Sequence, residues 1–127
     1  MEDYFPATLP PVSCVEVVVL RDVDPPRVSD FMKAARDAPS VNVKGVTALR
    51  IAQMWRELPP GETARCHIPS FGLRFIADGR VICEGSLCWE CNNIYGNSGG
   101  RAFFYEFDAE AAGSQALLVE LRRIVEG

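Results

Sequence analysis

The alternation of apolar and polar residues predicts most secondary-structure elements of this chain. The run from Val12 to Leu20 is β-branched and almost unbroken, which predicts a central strand buried on both faces. Asp24 followed by two prolines is typical of a helix start, so we predict a first helix there that ends before Pro39. The apolar residues of this helix are Val28, Phe31, Met32 and Ala35.

A second amphipathic helix is predicted after Thr47, which suits an N-cap, and it is stopped by Pro59-Pro60-Gly61. Its apolar stripe consists of Ala48, Ile51, Ala52, Trp55 and Leu58. Because a tryptophan in such a stripe carries a large apolar surface, we expect Trp55 in the core. The pattern assigns no element to residues 40–44.

The second half of the chain is predicted to be a β-meander. Residues 71–77 and 81–89 flank Asp78-Gly79, a dipeptide that suits the two positive φ angles of a type I′ hairpin turn. The polar stretch 92–100 is expected to be a loop, and residues 101–107 the next strand.

The chain is predicted to close with a helix capped by Asp108 or Ser114. One apolar stripe should face the core, and Glu120 is expected to lie on the exposed side. The stripe consists of Leu117, Leu118, Leu121, Ile124 and Val125.

These elements predict a single α+β domain over residues 1–127, in the order β-α-α-β-β-β-α. The sheet should be mostly antiparallel, with about four strands and with helices packed on it. A chain of 127 residues is long enough to bury a core without disulfides or metals.

The charge distribution argues against a nucleic-acid partner. The net charge is −4, and the basic residues are scattered without forming a stripe. A mildly acidic surface can instead attract a basic protein partner. The oligomeric state is not determined by these features.

The N-terminal residues lack the basic and apolar regions of a secretory signal, and no run of 18 apolar residues occurs. We therefore expect a bacterial cytoplasmic protein that does not associate with membranes. In a reducing compartment the five cysteines should be thiols, metal ligands or redox groups before they are structural disulfides.

Four cysteines form the candidate site: Cys66, Cys83, Cys88 and Cys91. If Asp78-Gly79 is a two-residue turn, the hairpin register places Cys66 opposite Cys91. The same register places His67 opposite Glu90 and Pro69 opposite Cys88. Because proline cannot donate to a ladder, an edge or a bulge is expected at Pro69.

Three interpretations of the cysteines remain open. They can be small buried core residues, which is the favoured interpretation. They can also form a zinc site of Cys66, Cys88 and Cys91, with Cys83 or His67 as the fourth ligand. A redox pair of Cys88 and Cys91 is the third interpretation, although no helix follows the pair and Glu90 would oppose thiolate formation.

His67 is the only histidine, so any histidine-dependent catalytic pair would have to use it. Beside Glu90 we expect it to be structural, and we predict no catalytic residue. No cofactor is expected, although the cysteines leave zinc open.

The segments Cys66-His-Ile-Pro-Ser-Phe-Gly-Leu-Arg-Phe75 and Cys88-Trp-Glu-Cys-Asn92 resemble small bacterial proteins of unknown function. Those proteins share a Cys-x-x-Pro segment, a Gly-x-Arg strand and a Cys-aromatic-x-Cys pair. The resemblance implies that Cys66, Pro69, Cys88 and Cys91 act as a set, and it implies no activity.

Two functional hypotheses follow. The first is a non-enzymatic protein-interaction module, such as an immunity or inhibitor protein that neutralises a partner toxin. The alternative is a zinc-binding or thiol-redox protein centred on Cys66, Cys88 and Cys91.

Overall fold

A computed structural model describes residues 3–64 and 66–127 as one six-stranded antiparallel sheet with three α-helices. The strands are β1 (Cys14–Val19), β2 (Ser40–Lys44), β3 (Phe71–Ala77), β4 (Arg80–Cys88), β5 (Asn93–Ser98) and β6 (Arg101–Glu106). The helices are α1 (Phe31–Ala34), α2 (Gly45–Arg56) and α3 (Ala112–Glu126), and two 3-10 turns span Pro6–Thr8 and Val28–Asp30. The α+β class and the antiparallel sheet are confirmed.

Two strands were missing from the sequence prediction of about four. In the order β2-β1-β3-β4-β5-β6, β2 is an edge strand beside β1, and β5 lies between β4 and β6. The Asn- and Gly-rich sequence of β5 resembles a loop, but pairing on both sides and the complete burial of Ile94 override its low β-propensity.

The first predicted helix is much shorter than expected, because only four residues of α1 follow a 3-10 turn. The carbonyl of Met32 accepts one bond from the backbone N–H of Ala35 and another from Arg74 Nη2 at 3.0 Å. These donors replace the i+4 amide that would have continued the α-helix.

The β3–β4 hairpin confirms the predicted turn, since Asp78 and Gly79 have φ angles of 52° and 74°. Ile76 pairs with Val81 as predicted, but a bulge follows and Phe75 pairs with Cys83. The bulge therefore lies inside the hairpin rather than at Pro69, and beyond it the register differs by one residue from the prediction.

Helices α2 and α3 pack on one face of the sheet, which we call the helix-side face, and enclose the main core. Trp55 is fully buried there, as predicted. Tyr4 closes this core from the N-terminal segment: its ring stacks on Phe103, and its hydroxyl accepts a 3.0 Å bond from Trp55 Nε1.

The closing helix shows the predicted stripe in part, with Leu117 and Leu121 fully buried. Ala111, not Asp108 or Ser114, is the N-cap, and it makes no side-chain cap bond. Glu120 is only 9% exposed, because it packs between α2 and α3 and pairs with Arg50 and Arg123. The expectation that Glu120 is exposed was wrong.

The opposite face of the sheet, which we call the open face, carries a row of charged residues. Here Arg74 in β3 pairs with Glu16 in β1 at 2.9 Å and with Glu84 in β4 at 3.3 Å. The residues around α1 pack over one part of this face, as a small cluster of Val18, Leu20, Met32 and Ala35. None of the helices in the described ranges is long and apolar enough to cross a membrane.

Candidate functional site

The predicted cysteine segment belongs to a strap, which we define as residues 59–64 and 66–70. It has almost no regular secondary structure and is held against the sheet by hydrogen bonds. Gly61 N donates to Glu106 O, Ala64 N to Cys91 O, and Ser70 O accepts from Leu20 N. The strap therefore ties the β4–β6 part of the sheet to β1.

A disulfide between Cys66 and Cys91 fastens the middle of the strap, with the two Cα atoms 5.5 Å apart. The predicted proximity of these residues is confirmed, although both lie beyond the ends of β3 and β4 and not on a regular ladder. The expectation was thiols, metal ligands or redox groups before structural disulfides; this pair is neither free thiol nor metal ligand, because the strap brings the two sulfurs within bonding range, and the redox alternative is compatible with the bond.

The disulfide also removes two thiolates from the zinc set of Cys66, Cys88 and Cys91. Over the described ranges no three His, Cys, Asp or Glu side chains come together in a way that could hold a metal ion. The residues present therefore do not fit zinc.

The other two cysteines of the predicted cluster lie on opposite faces of the sheet. Cys88 is buried on the open-face side, where its Sγ accepts a 3.3 Å bond from Ile68 N of the strap. Cys83 is buried on the helix-side face, and its Sγ lies 3.6 Å from the Tyr4 hydroxyl. Burial raises the pKa of Cys83 to about 11, so it stays a thiol at neutral pH. The four cysteines do not form one cluster.

His67 is buried beneath the strap, and both of its ring nitrogens have partners. Nδ1 lies 2.6 Å from Asn93 Oδ1, and Nε2 lies 2.7 Å from Ser86 Oγ. Asn93 Nδ2 donates to Thr63 Oγ1 and to Cys66 O, which leaves its oxygen facing the imidazole. Nδ1 is therefore the nitrogen that donates to Asn93, and Nε2 faces the Ser86 hydroxyl, whose one hydrogen can be donated either to Nε2 or to the Tyr95 carbonyl at 3.2 Å.

Burial lowers the pKa of His67, and the bond to Asn93 offsets part of that effect. The order of hydroxyl, imidazole and amide is the order that nucleophilic triads use. Ser86, however, is 1% exposed and His67 is 6% exposed, so no substrate atom can reach the hydroxyl. The arrangement holds the strap in place.

The predicted pairing of His67 with Glu90 was wrong, because Glu90 is exposed and His67 reaches across to Asn93 and Ser86 instead. The shifted hairpin register and the disulfide turn the imidazole toward β4 and β5. Sequence reasoning missed Ser86 and Asn93. The one signal was Ser86, a small polar residue in the predicted strand 81–89, where a buried polar group needs a partner, whereas Asn93 lies in a polar stretch and gave no such signal.

The disulfide borders a pocket of about 320 Å³ on the open face. Val28, Tyr95 and Phe104 form its apolar wall, and Cys66 and His67 lie on the strap side. Ile68, which lies two residues after Cys66 in the strap, is 64% exposed.

A larger cleft of about 690 Å³ lies between α1 and the charged row of the open face. Arg74 is on its floor, where the side chain is 14% exposed. Burial alone would raise the pKa of Glu16, but the bonds from Arg74 and Ser40 outweigh it and hold that pKa below its usual range. Arg74 is therefore paired with both Glu16 and Glu84, and the three charged groups together leave one net negative charge.

A third cavity, of about 350 Å³, lies between the loops that follow β1 and α1. Its carboxylates are Asp22, Asp24 and Asp37, and its apolar lining includes Val23 and Ala38. In the described part of the chain none of the three carboxylates forms an ion pair. We call this cavity the acidic pocket.

No protein-family model, no curated protein and no solved structure matches this chain.

Proposed function

We propose that this protein is a non-enzymatic interaction module that binds a basic protein through the acidic pocket. An immunity or inhibitor protein that neutralises a partner toxin is the class that fits best. The observation that supports this proposal is the set of unpaired carboxylates of Asp22, Asp24 and Asp37 around an apolar floor. Zinc chemistry is not proposed, because the disulfide occupies two of its ligands.

The chemistry of the acidic pocket suits a lysine or arginine side chain. Such a side chain can lay its methylene groups against Val23 and Ala38 while its charge meets the carboxylates. The net charge of −4 adds long-range attraction for a basic partner.

The state of His67 supports a binding role over a hydrolytic one. It is the only histidine of the chain, and in the folded protein both ring nitrogens are occupied by Asn93 and Ser86. A general base needs a nitrogen within reach of the substrate proton. His67 does not meet this requirement, because it is buried and both of its ring nitrogens already have partners.

The binding test uses a fluorescently labelled lysine-rich peptide as the probe, with anisotropy measured over a range of salt concentrations. The triple variant Asp22→Asn, Asp24→Asn, Asp37→Asn should lose most of the affinity and of its salt dependence. The matched control is Glu90→Gln, Glu110→Gln, Glu126→Gln, which removes the same charge from exposed positions elsewhere. Equal weakening by both triples would show that only net charge matters and would reject the acidic pocket.

The immunity role has its own readout. Co-expression with the toxic protein that the chain neutralises should restore growth, and the Asp22, Asp24 and Asp37 triple variant should fail to restore it while staying folded. Protection by that variant at the wild-type level would reject the acidic pocket as the toxin-binding surface.

A further inference from the structure

The two sulfurs of the Cys66–Cys91 disulfide differ in their access to solvent. Cys66 lies on the exposed strap, whereas Cys91 is completely buried. Thiol–disulfide exchange requires a thiolate to approach one sulfur of the bond, so access decides which sulfur is attacked. Of the two half-cystines, as far as the described residues show, Cys66 is the exposed one and is therefore the side open to a molecule from solution.

The surface beside Cys66 is shaped to receive more than a small thiol. The pocket of about 320 Å³ includes Cys66 itself and has an apolar wall of Val28, Tyr95 and Phe104. Val28 is 49% exposed, and the Phe104 ring packs against Tyr95 with centroids 4.9 Å apart. An apolar side chain next to an incoming cysteine can fill this pocket while the cysteine meets Cys66.

We propose that the Cys66–Cys91 disulfide is an exchange site for a cysteine-containing polypeptide with apolar residues beside its cysteine. The thiolate of the polypeptide attacks Cys66 Sγ and forms a mixed disulfide with it. The bond between Cys66 and Cys91 breaks, its electron pair goes to Cys91 Sγ, and that sulfur takes a proton from solvent. One disulfide is lost and one is formed, so no further oxidant or reductant is required.

The reverse step restores the protein, because the thiolate of Cys91 can attack Cys66 again and release the polypeptide. Binding of the flanking residues in the pocket makes the exchange selective among thiols. His67 takes no part, because both of its nitrogens are already bonded.

This inference rests on the proposed function only in taking a polypeptide as the partner. The proposed exchange surface is the pocket of about 320 Å³ beside Cys66. It is separate from the acidic pocket, because the two pockets share no lining residue. Uncharged peptide probes test it alone, so its failure leaves the charge-dependent binding test unaffected.

The experiment compares two uncharged, end-blocked peptides, Phe-Cys-Phe and Ser-Cys-Ser, mixed with the oxidised wild-type protein. Acid quenching followed by peptide mapping gives the rate and position of the mixed disulfide. We expect the adduct on Cys66 and faster formation with Phe-Cys-Phe. Phe104→Ser should remove the difference between the two peptides.

Val119→Ser is the matched control, because Val119 is 63% exposed on α3, away from the pocket lining. It should keep the wild-type preference for Phe-Cys-Phe. If Phe104→Ser lowers the denaturant midpoint, Val28→Ser replaces it, since Val28 is half exposed. Adducts on Cys91, equal rates for the two peptides in the wild type, or no adduct with either peptide would each overturn the proposal.

Discussion

The side-chain oxygen of Asn93 accepts a 2.6 Å bond from His67 Nδ1. At the same time, the side-chain nitrogen of Asn93 donates to the carbonyl of Cys66, which precedes His67 in the chain. One buried amide therefore fixes both the imidazole and the backbone at the disulfide. The strap is held twice at this point, once by a covalent bond and once by a polar network, and the two contributions can be separated by mutation.

The pH dependence of stability should report the buried imidazole. Because burial lowers the pKa of His67, the unfolded chain binds this proton more readily than the folded chain. The free energy of unfolding should therefore fall as the pH drops below about 7, by at most about 1.4 kcal/mol per pH unit. Urea midpoints at about pH 7.5 and 5.5 measure this loss.

His67→Gln supplies the control for that titration, since glutamine keeps a donor and an acceptor but has no proton to gain. Its urea midpoint should change little over the same interval. Glu16 also has a lowered pKa, and its stabilisation is lost at lower pH as that carboxyl protonates. An equal pH slope in the wild type and the variant would show that His67 does not cause the effect.

Removal of the disulfide should destabilise the protein through the unfolded state. The bond joins residues 25 positions apart, and a loop of that length corresponds to about 3 kcal/mol of stabilisation. Cys66→Ser should lower the free energy of unfolding by this amount, and a reductant should do the same to the wild type. Cys14→Ser is the control, because Cys14 is a free thiol. A reductant-insensitive denaturant midpoint would contradict this prediction.

Arg74 should be important for stability although it lies in a cleft. Arg74→Met removes bonds to Glu16, Glu84 and the carbonyl of Met32, and leaves two carboxylates close together without a cation. We expect a loss of about 2 kcal/mol or more in chemical denaturation. The comparison variant Arg27→Met breaks a pair whose arginine is 75% exposed, so it should cost less than about 1 kcal/mol. If the two variants lost similar amounts of unfolding free energy, the charged row of the open face would contribute no more to stability than an exposed surface ion pair does.

The packed face of α3 can be tested with three substitutions. Leu121→Ala opens a cavity at a fully buried position and should cost about 2–5 kcal/mol. Val119→Ala, at a 63% exposed position, should change the thermal midpoint little. Glu120→Ala should lower the thermal midpoint more than Val119→Ala does, because Glu120 pairs with Arg50 and Arg123 at the contact between the helices. A smaller effect for Leu121→Ala than for Val119→Ala would reject this assignment of faces.

The sequence predicted the fold where the physical signal is local. The Asp78-Gly79 turn, the β-branched run of β1 and the stripe of α2 each follow from neighbouring residues, and all three are present. The strand β5 was missed because its pairing with β4 and β6 is a tertiary effect. The short α1 was missed for the same reason, because Arg74 reaches Met32 from a distant strand.

The candidate site was predicted only in part. Cys66 and Cys91 were identified as neighbours from the hairpin, although a bulge between Phe75 and Ile76 shifts the register on which that argument depended. The argument still reached the right pair because the strap bends toward Cys91. The positions of the bulge and of the strap depend on packing between distant parts of the chain. Short-range sequence patterns therefore could not identify Ser86 and Asn93 as partners of His67.

The position of β1 between β2 and β3 has a consequence for how the chain folds. Its second neighbour is far along the chain, since Cys14 pairs with Ile76 and Val19 with Phe71. During synthesis, the edge of β1 that later pairs with β3 stays exposed until β3 has been made. The unpaired backbone groups of such an edge can pair with other chains. The meander of β3 to β6 closes between sequence neighbours, so the slow event should be the joining of β1 to that meander.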